Sequence, residues 1–154
     1  MAERVNDNIV IENARIGFRN FAGEEGQFNR AGDRNFVVFL DEDYARELDD
    51  LGWNIKWPKP IEDGNPDEDE RQPFLPVGVR FAPIPPKVVE IINGEKHYLD
   101  EDTVGALDYA RILDCDLIVR PYNWSASGKT GVKAYLKSIY VTVDVDDLEA
   151  KYGF

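Results

Sequence analysis

The chain has 154 residues, 43% hydrophobic and 12% aromatic, which is enough for one globular domain with a real core and too apolar for wholesale disorder. Its formal net charge is -12, so the average surface repels nucleic acid and anionic membranes, and any site for a polyanion must be a segregated basic patch. No apolar run approaches the roughly 20 residues that span a bilayer and MAERVNDN lacks a signal-peptide core, so a cytoplasmic protein with no membrane partner is expected. The single cysteine, Cys115 in DCDLIV, reads as a buried strand thiol and excludes an intrachain disulfide.

Residues 9–18 alternate as a strand should. Val10, Ala14, Ile16 and Phe18 fall on one face, and Arg15, Gly17 and Arg19 project together from the other. A loop over 20–33 holds Gly23, Gly26 and Gly32 and is expected to be mobile until something binds, after which 34–40 returns as an antiparallel strand. This first hairpin concentrates Arg15, Arg19, Phe21, Phe28, Arg30 and Arg34. Two readings stand side by side. Guanidinium groups and flat rings suit the phosphates and splayed bases of a single-stranded nucleic acid. Alternatively the rings pack inward and the arginines pair with Glu24, Glu25 and Asp33.

After Asp41 the period changes to that of a short helix, with an acidic start, Tyr44, Ala45, Leu48 and Leu51 at helical spacing, and Gly52 as a stop. WNIKWP then reads as a strand with Trp53, Ile55 and Trp57 on one side. Residues 61–73 form an acidic loop within the domain, expected to stand away from a nucleic-acid groove. Two strand pieces split by Pro83, Pro85 and Pro86 follow, with Arg80 and Lys87 as isolated cations, and Asn93-Gly94 predicts a hairpin turn. His97 has no second ligand or triad partner beside it. A helical turn weakened by Gly105 leads into DCDLIVRPYNW, a strand, and VKAYLKSIYVTVD, the best strand of the chain.

Residues 117–143 carry Arg120, Lys129, Lys133 and Lys137 and no carboxylate. On the last strand Lys133, Tyr135 and Lys137 share one face by period two, with Ala134, Leu136 and Tyr140 on the other. A cation, a ring and a cation at alternate positions make a stacking surface for a single strand, and Tyr122 and Trp124 add two rings at the adjoining strand end. Gly128-Lys129-Thr130 is not a phosphate-binding loop, because Asn123 stands where the first glycine is needed and a strand follows instead of a helix. A hairpin turn accounts for it, with Lys129 at the tip able to touch a phosphate. No nucleophile-base pair or metal-nuclease triplet is present, so neither catalysis nor a cofactor is expected. Residues 144–154 are acidic and end on Phe154, which fits either a docked terminal helix or a partner-recruiting tail.

The segments IVIENARIGFRNF, FNRAGDRNFVVFLD, LGWNIK, LDEDTVGALDYARI, CDLIVRPYNW and GKTGVKAYLKSIYVTV together resemble the small single-stranded-DNA-binding proteins of tailed bacteriophages and prophages. That resemblance covers residues 8–152. It implies an oligonucleotide/oligosaccharide-binding (OB) barrel, no catalysis, and sequence-tolerant binding of single strands in phage replication or recombination. The strand pattern agrees with a mainly β, OB-fold-like elaborated barrel with short inserted helices, a single domain over 1–154. Arg15, Arg19, Arg34, Lys133 and Lys137 are then expected to neutralise phosphates, and Phe21, Phe28, Tyr135 and Trp124 to stack bases. Replication or recombination proteins could be recruited through the acidic C-terminus, and exposed strand edges could support a homodimer. A second class stays open. The carboxylates at 41–50 and 62–70 would suit an acidic DNA mimic that inhibits a host nuclease or defence protein, with a hydrolytic enzyme the weakest option.

Overall fold

The computed structural model describes residues 5–59 and 71–145. Eight strands, an α-helix and a 3-10 helix follow one another as β1 (Ile9–Ile11), β2 (Arg15–Asn20), β3 (Arg34–Phe39), α1 (Glu42–Asp50), β4 (Phe74–Val79), β5 (Lys87–Ile92), β6 (Glu95–Leu99), the 3-10 helix (Val104–Asp108), β7 (Ile112–Ala126) and β8 (Lys129–Val143). The mainly β expectation therefore holds.

The strands form one sheet in the order β1-β7-β8-β4-β3-β2, with β5 also pairing β8 and β6 pairing β5. Neighbours are antiparallel except β4-β8 and β5-β8, which are parallel. In its hydrogen bonding this sheet is open between β1 and β2. Those two ends, however, are consecutive in the chain, separated only by a bend in which Asn13 takes a positive φ of 51. One bent first strand thus pairs with β7 through its first half and with β3 through its second. Ile9 and Ile11 of β1 and Ile16 of β2 pack on the same core as Phe36, Val38, Leu75, Val77, Leu117, Val119, Leu136 and Ile139, so the sheet curls round one hydrophobic centre. This is the OB-like plan, in which a five-membered ring is left partly open and the β5-β6 hairpin is an addition.

Two bulges decide which side chains face outward. Val119 pairs with Leu136 but Ile118 pairs with Ser138, which leaves Lys137 as an extra residue of β8. Alternation therefore reverses there: Val132, Ala134 and Leu136 are buried before it, Ile139 and Val141 after it. Tyr140 consequently joins the face of Lys133 and Tyr135, where strict period two put it on the opposite one. In β2 the register slips between Gly17 and Asn20, and Phe18 takes φ 46. Phe18 is turned outward, 72% exposed, and Arg19 is turned toward the 3-10 helix, the reverse of the expected assignment.

Other elements differ less. Helix α1 starts at Asp41, whose carboxylate accepts from the Tyr44 N–H. The predicted strand after Gly52 is reduced to two isolated bridges, Trp53 with Val132 and Lys56 with Phe74, because a tight turn from Ile55 N–H to the Trp53 carbonyl breaks the ladder. Trp53 and Ile55 are still buried, while Trp57 donates from Nε1 to Asp49 at 3.0 Å. Asn93 and Gly94, both at positive φ, make the β5-β6 turn as read, and Ser127 and Gly128 make the β7-β8 turn. Cys115 is fully buried, and burial pushes its thiol up to about 12, which removes it as a nucleophile. Most of the acidic loop and residues 146–154 lie outside the described residues, as does the choice between a docked C-terminal helix and a free tail.

Candidate nucleic-acid interface

The outward side chains of β7 and β8 meet across their ladder. Arg120 is opposite Tyr135, Tyr122 opposite Lys133, and Trp124 opposite Gly131. The parallel partner β4 brings Gly78 opposite Tyr135, and β3 sets Asn35 opposite Gly78. Both glycines are required by the rings beside them. A Cβ on Gly78 would lie 2.9 Å from Tyr135 Cε1, and one on Gly131 would lie 2.7 Å from Trp124 Cζ2. Each ring therefore lies across a bare stretch of neighbouring backbone, which lets it sit flat against the sheet.

Tyr135 is the centre of the arrangement. It is buried yet absent from the core, so what covers it is the outer surface itself. Arg80 Cζ stands 4.6 Å from its ring centroid, Lys133 Nζ 5.0 Å and Arg120 Cζ 6.0 Å. Tyr122 meets it edge-on at 5.9 Å and, with Trp124, leaves ring surface free to solvent, the two being 55% and 37% exposed. Beside it lies a groove of about 510 Å³ lined by Arg34, Asn35, Asn54, Lys56, Pro76, Gly78, Arg80, Lys133 and Tyr135, in which Asp33 is the only carboxylate. A polyanion meets four cations there against one anion, in a chain whose overall charge has the opposite sign.

Further along the same face, Phe39 of β3 pairs with Phe74 of β4, and Phe18 completes a triangle of rings with centroids 6.0 to 6.1 Å apart. Arg15 lies over Phe39 at 4.9 Å and donates to Gln72 Oε1.

The first loop is knit together, not open. Gly32 N–H donates to the Gly23 carbonyl, Gly26 bridges Asn29, and the Asn29 amide donates to the carbonyls of Glu24, Arg30 and Asp33. Its base is tied by Asp108, whose carboxylate accepts from the N–H groups of Phe21 and Ala22. The tip presents Phe28, 93% exposed, and Arg30.

Of the residues singled out from sequence, Tyr122, Trp124, Lys133 and Tyr135 are brought together, with Lys129 exposed at the turn beyond them. Arg34 lines the groove but is largely committed to structure, donating to the Phe21 carbonyl at 2.6 Å and facing Glu101 at 3.8 Å. Arg15 lies on the outer face away from the groove. Arg19 is spent on the fold, its Nη1 donating to the carbonyls of Leu107 and Ala110 at 2.7 and 2.8 Å, because the bulge reversed its direction. Phe21 is fully buried and stacked on Phe36 at 4.9 Å, so its ring is not free for a base. Lys137, the bulge residue, lines a smaller groove of about 240 Å³ with Arg120 and the 84–86 bend. Sequence reading missed Arg80, Arg120, Lys56 and the two glycines. Their common signal is cross-strand pairing, and the parallel β4-β8 contact that gathers them joins residues more than fifty positions apart.

No group of three or more His, Cys, Asp or Glu side chains among the described residues could hold a metal ion, and no helix among them is long and apolar enough to cross a membrane.

A family model for the phage ssDNA-binding domain matches residues 1–153. No curated protein matches the chain. Among solved structures, the single-stranded DNA-binding protein from bacteriophage Enc34 in complex with ssDNA aligns with a TM-score of 0.57 at 13% identity, covering 94% of this chain and 95% of that one. A C-terminal truncation of the Enc34 protein gives 0.56 at 14% identity, covering 94% of each chain. A third structure of the Enc34 protein gives 0.54 at 17% identity, covering 97% of each. At these identities the likeness is one of fold.

Proposed function

The chain belongs to the phage ssDNA-binding domain family, and from that premise we propose that it binds single-stranded DNA without regard to sequence through the outer face of β3, β4, β7 and β8. The family is one of binding proteins, not of enzymes. The observation that carries the assignment of the face is Tyr135, ringed by Arg80, Arg120 and Lys133 and flanked by the exposed rings of Tyr122 and Trp124. Bases stack on the free rings while the cations take phosphates, and neither contact depends on base identity. Lys129 at the hairpin tip and Phe28 and Arg30 at the loop tip flank this face as arms. Lys137 extends its basic edge.

Coating of single strands during phage replication or recombination, in the cytoplasm of the bacterial host, is the role that fits this mode of binding. Replication or recombination proteins would be recruited through the acidic C-terminus. The outer edge of β6, which pairs only with β5 among the described strands, would serve a homodimer. The DNA-mimic alternative is not favoured at α1, where carboxylates engage locally: Asp41 caps the helix, Glu42 pairs with Arg46 and Asp49 accepts from Trp57.

Fluorescence anisotropy of labelled poly(dT), with the matching duplex as control, tests the function. Binding should be selective for the single strand, and log K should fall with log salt at about 0.7 per phosphate neutralised. A protein that ignores poly(dT) at low salt and captures a basic host enzyme instead would be the acidic mimic.

A further inference from the structure

The outer face carries a second feature that phosphate binding does not explain, the phenylalanine triangle of Phe18, Phe39 and Phe74. Phe18 is a bulky residue held at φ 46, in the left-handed region that such residues rarely adopt, and it is 72% exposed. Backbone strain that turns an aromatic ring into solvent works against folding twice over, through the backbone and through the lost burial. Strain of this kind persists where the surrounding structure enforces it and is concentrated at ligand sites.

The enforcement is visible. The bulge that turns Phe18 outward also turns Arg19 inward onto two carbonyls at the end of the 3-10 helix. Gly17 makes room for the platform, since a Cβ there would lie 2.6 Å from Phe39 Cε2.

Resting on the reading of this protein as a single-strand binder, we infer that the Phe18-Phe39-Phe74 triangle is a further base-stacking subsite on the same DNA path, with Phe18 as its solvent-facing ring. The path is continuous: Asn35 and Gly78, which line the main groove, and then Val37 and Pro76, are followed along the same face by the Phe39-Phe74 pair. The chemistry selects a base over a phosphate. The patch offers three rings and one guanidinium, already engaged with Gln72 and Phe39, while Glu12 and Asp41 line the shallow groove next to it. Rings spaced at about 6 Å leave an edge and a face for a nucleobase, and every base has a π-face to offer.

Two variants of the full chain test this, Phe18→Gly and Phe18→Trp, titrated with labelled poly(dT). Glycine carries no penalty at this φ, so Phe18→Gly should keep or raise the Tm while weakening poly(dT) binding by about 5- to 150-fold. Phe18→Trp should bind as tightly as the parent, and the emission it adds should be quenched as poly(dT) binds. Parental affinity in Phe18→Gly, or unquenched emission from position 18 at saturating poly(dT), would overturn the subsite and leave the main face untouched. Failure of the parent chain to bind poly(dT) would instead strike the functional reading itself.

Discussion

Replacing Tyr122 and Trp124 together by alanine is expected to lower affinity for poly(dT) by about 2 to 4 kcal/mol, roughly thirty- to a thousandfold. Each stacked ring is worth about 1 to 3 kcal/mol, and the two lie two residues apart on β7, close enough that their losses fall short of additive. Both are partly exposed, so the fold should tolerate their removal, with a stability change of about 1 kcal/mol from uncovering Gly131 and one edge of Tyr135. The salt slope should change little, since Arg80, Arg120 and Lys133 remain. Equilibrium titration at two salt concentrations beside thermal unfolding measures all three quantities. Unchanged affinity in a folded double variant would place the bases elsewhere.

The opposite pattern is expected at Phe21. Its ring is fully buried and stacked on Phe36 with an interplanar angle of 21°. Removing a buried phenylalanine costs about 3 to 5 kcal/mol through lost transfer energy and the cavity left behind. For a chain of this size each kcal/mol moves the Tm by about 2 to 4 °C, so Phe21→Ala should lower it by roughly 6 to 20 °C. The loss should extend to the first loop, because the Phe21 carbonyl accepts from Arg34 and its N–H donates to Asp108. Below the unfolding transition, affinity for poly(dT) should stay within a few-fold of the parent. A variant with parental Tm and strongly weakened binding would make Phe21 a base platform after all.

These two residues mark how much of the site was legible beforehand. Alternation along β8 placed Lys133 and Tyr135 together because that half of the strand is regular, and the acid-free run of 117–143 pointed to the correct hairpin. The same rule failed wherever a bulge intervened. Tyr140, Phe18 and Arg19 each lie beyond an extra residue that reverses the facing of everything after it, and nothing in the local sequence announces the slip. Phe21 was ambiguous for another reason. Just past β2, in the loop, it looked exposed by position, but the 3-10 helix, with Val104 and Leu107 buried in the same core, closes over that end. The strands and the Asn93-Gly94 turn were readable from pattern and turn chemistry. Arg80 was not, because it reaches Tyr135 only through the parallel pairing of β4 with β8, a contact between distant segments that no local periodicity encodes.

The central claim is that the DNA strand lies on the outer face of β3, β4, β7 and β8. The most direct measurement is photocrosslinking to a dT oligonucleotide carrying 5-iododeoxyuridine, followed by mass-spectrometric location of the adducts. Adducts on Tyr122, Trp124 and Tyr135 are the predicted result. Adducts confined to α1 or to the β5-β6 hairpin would contradict it.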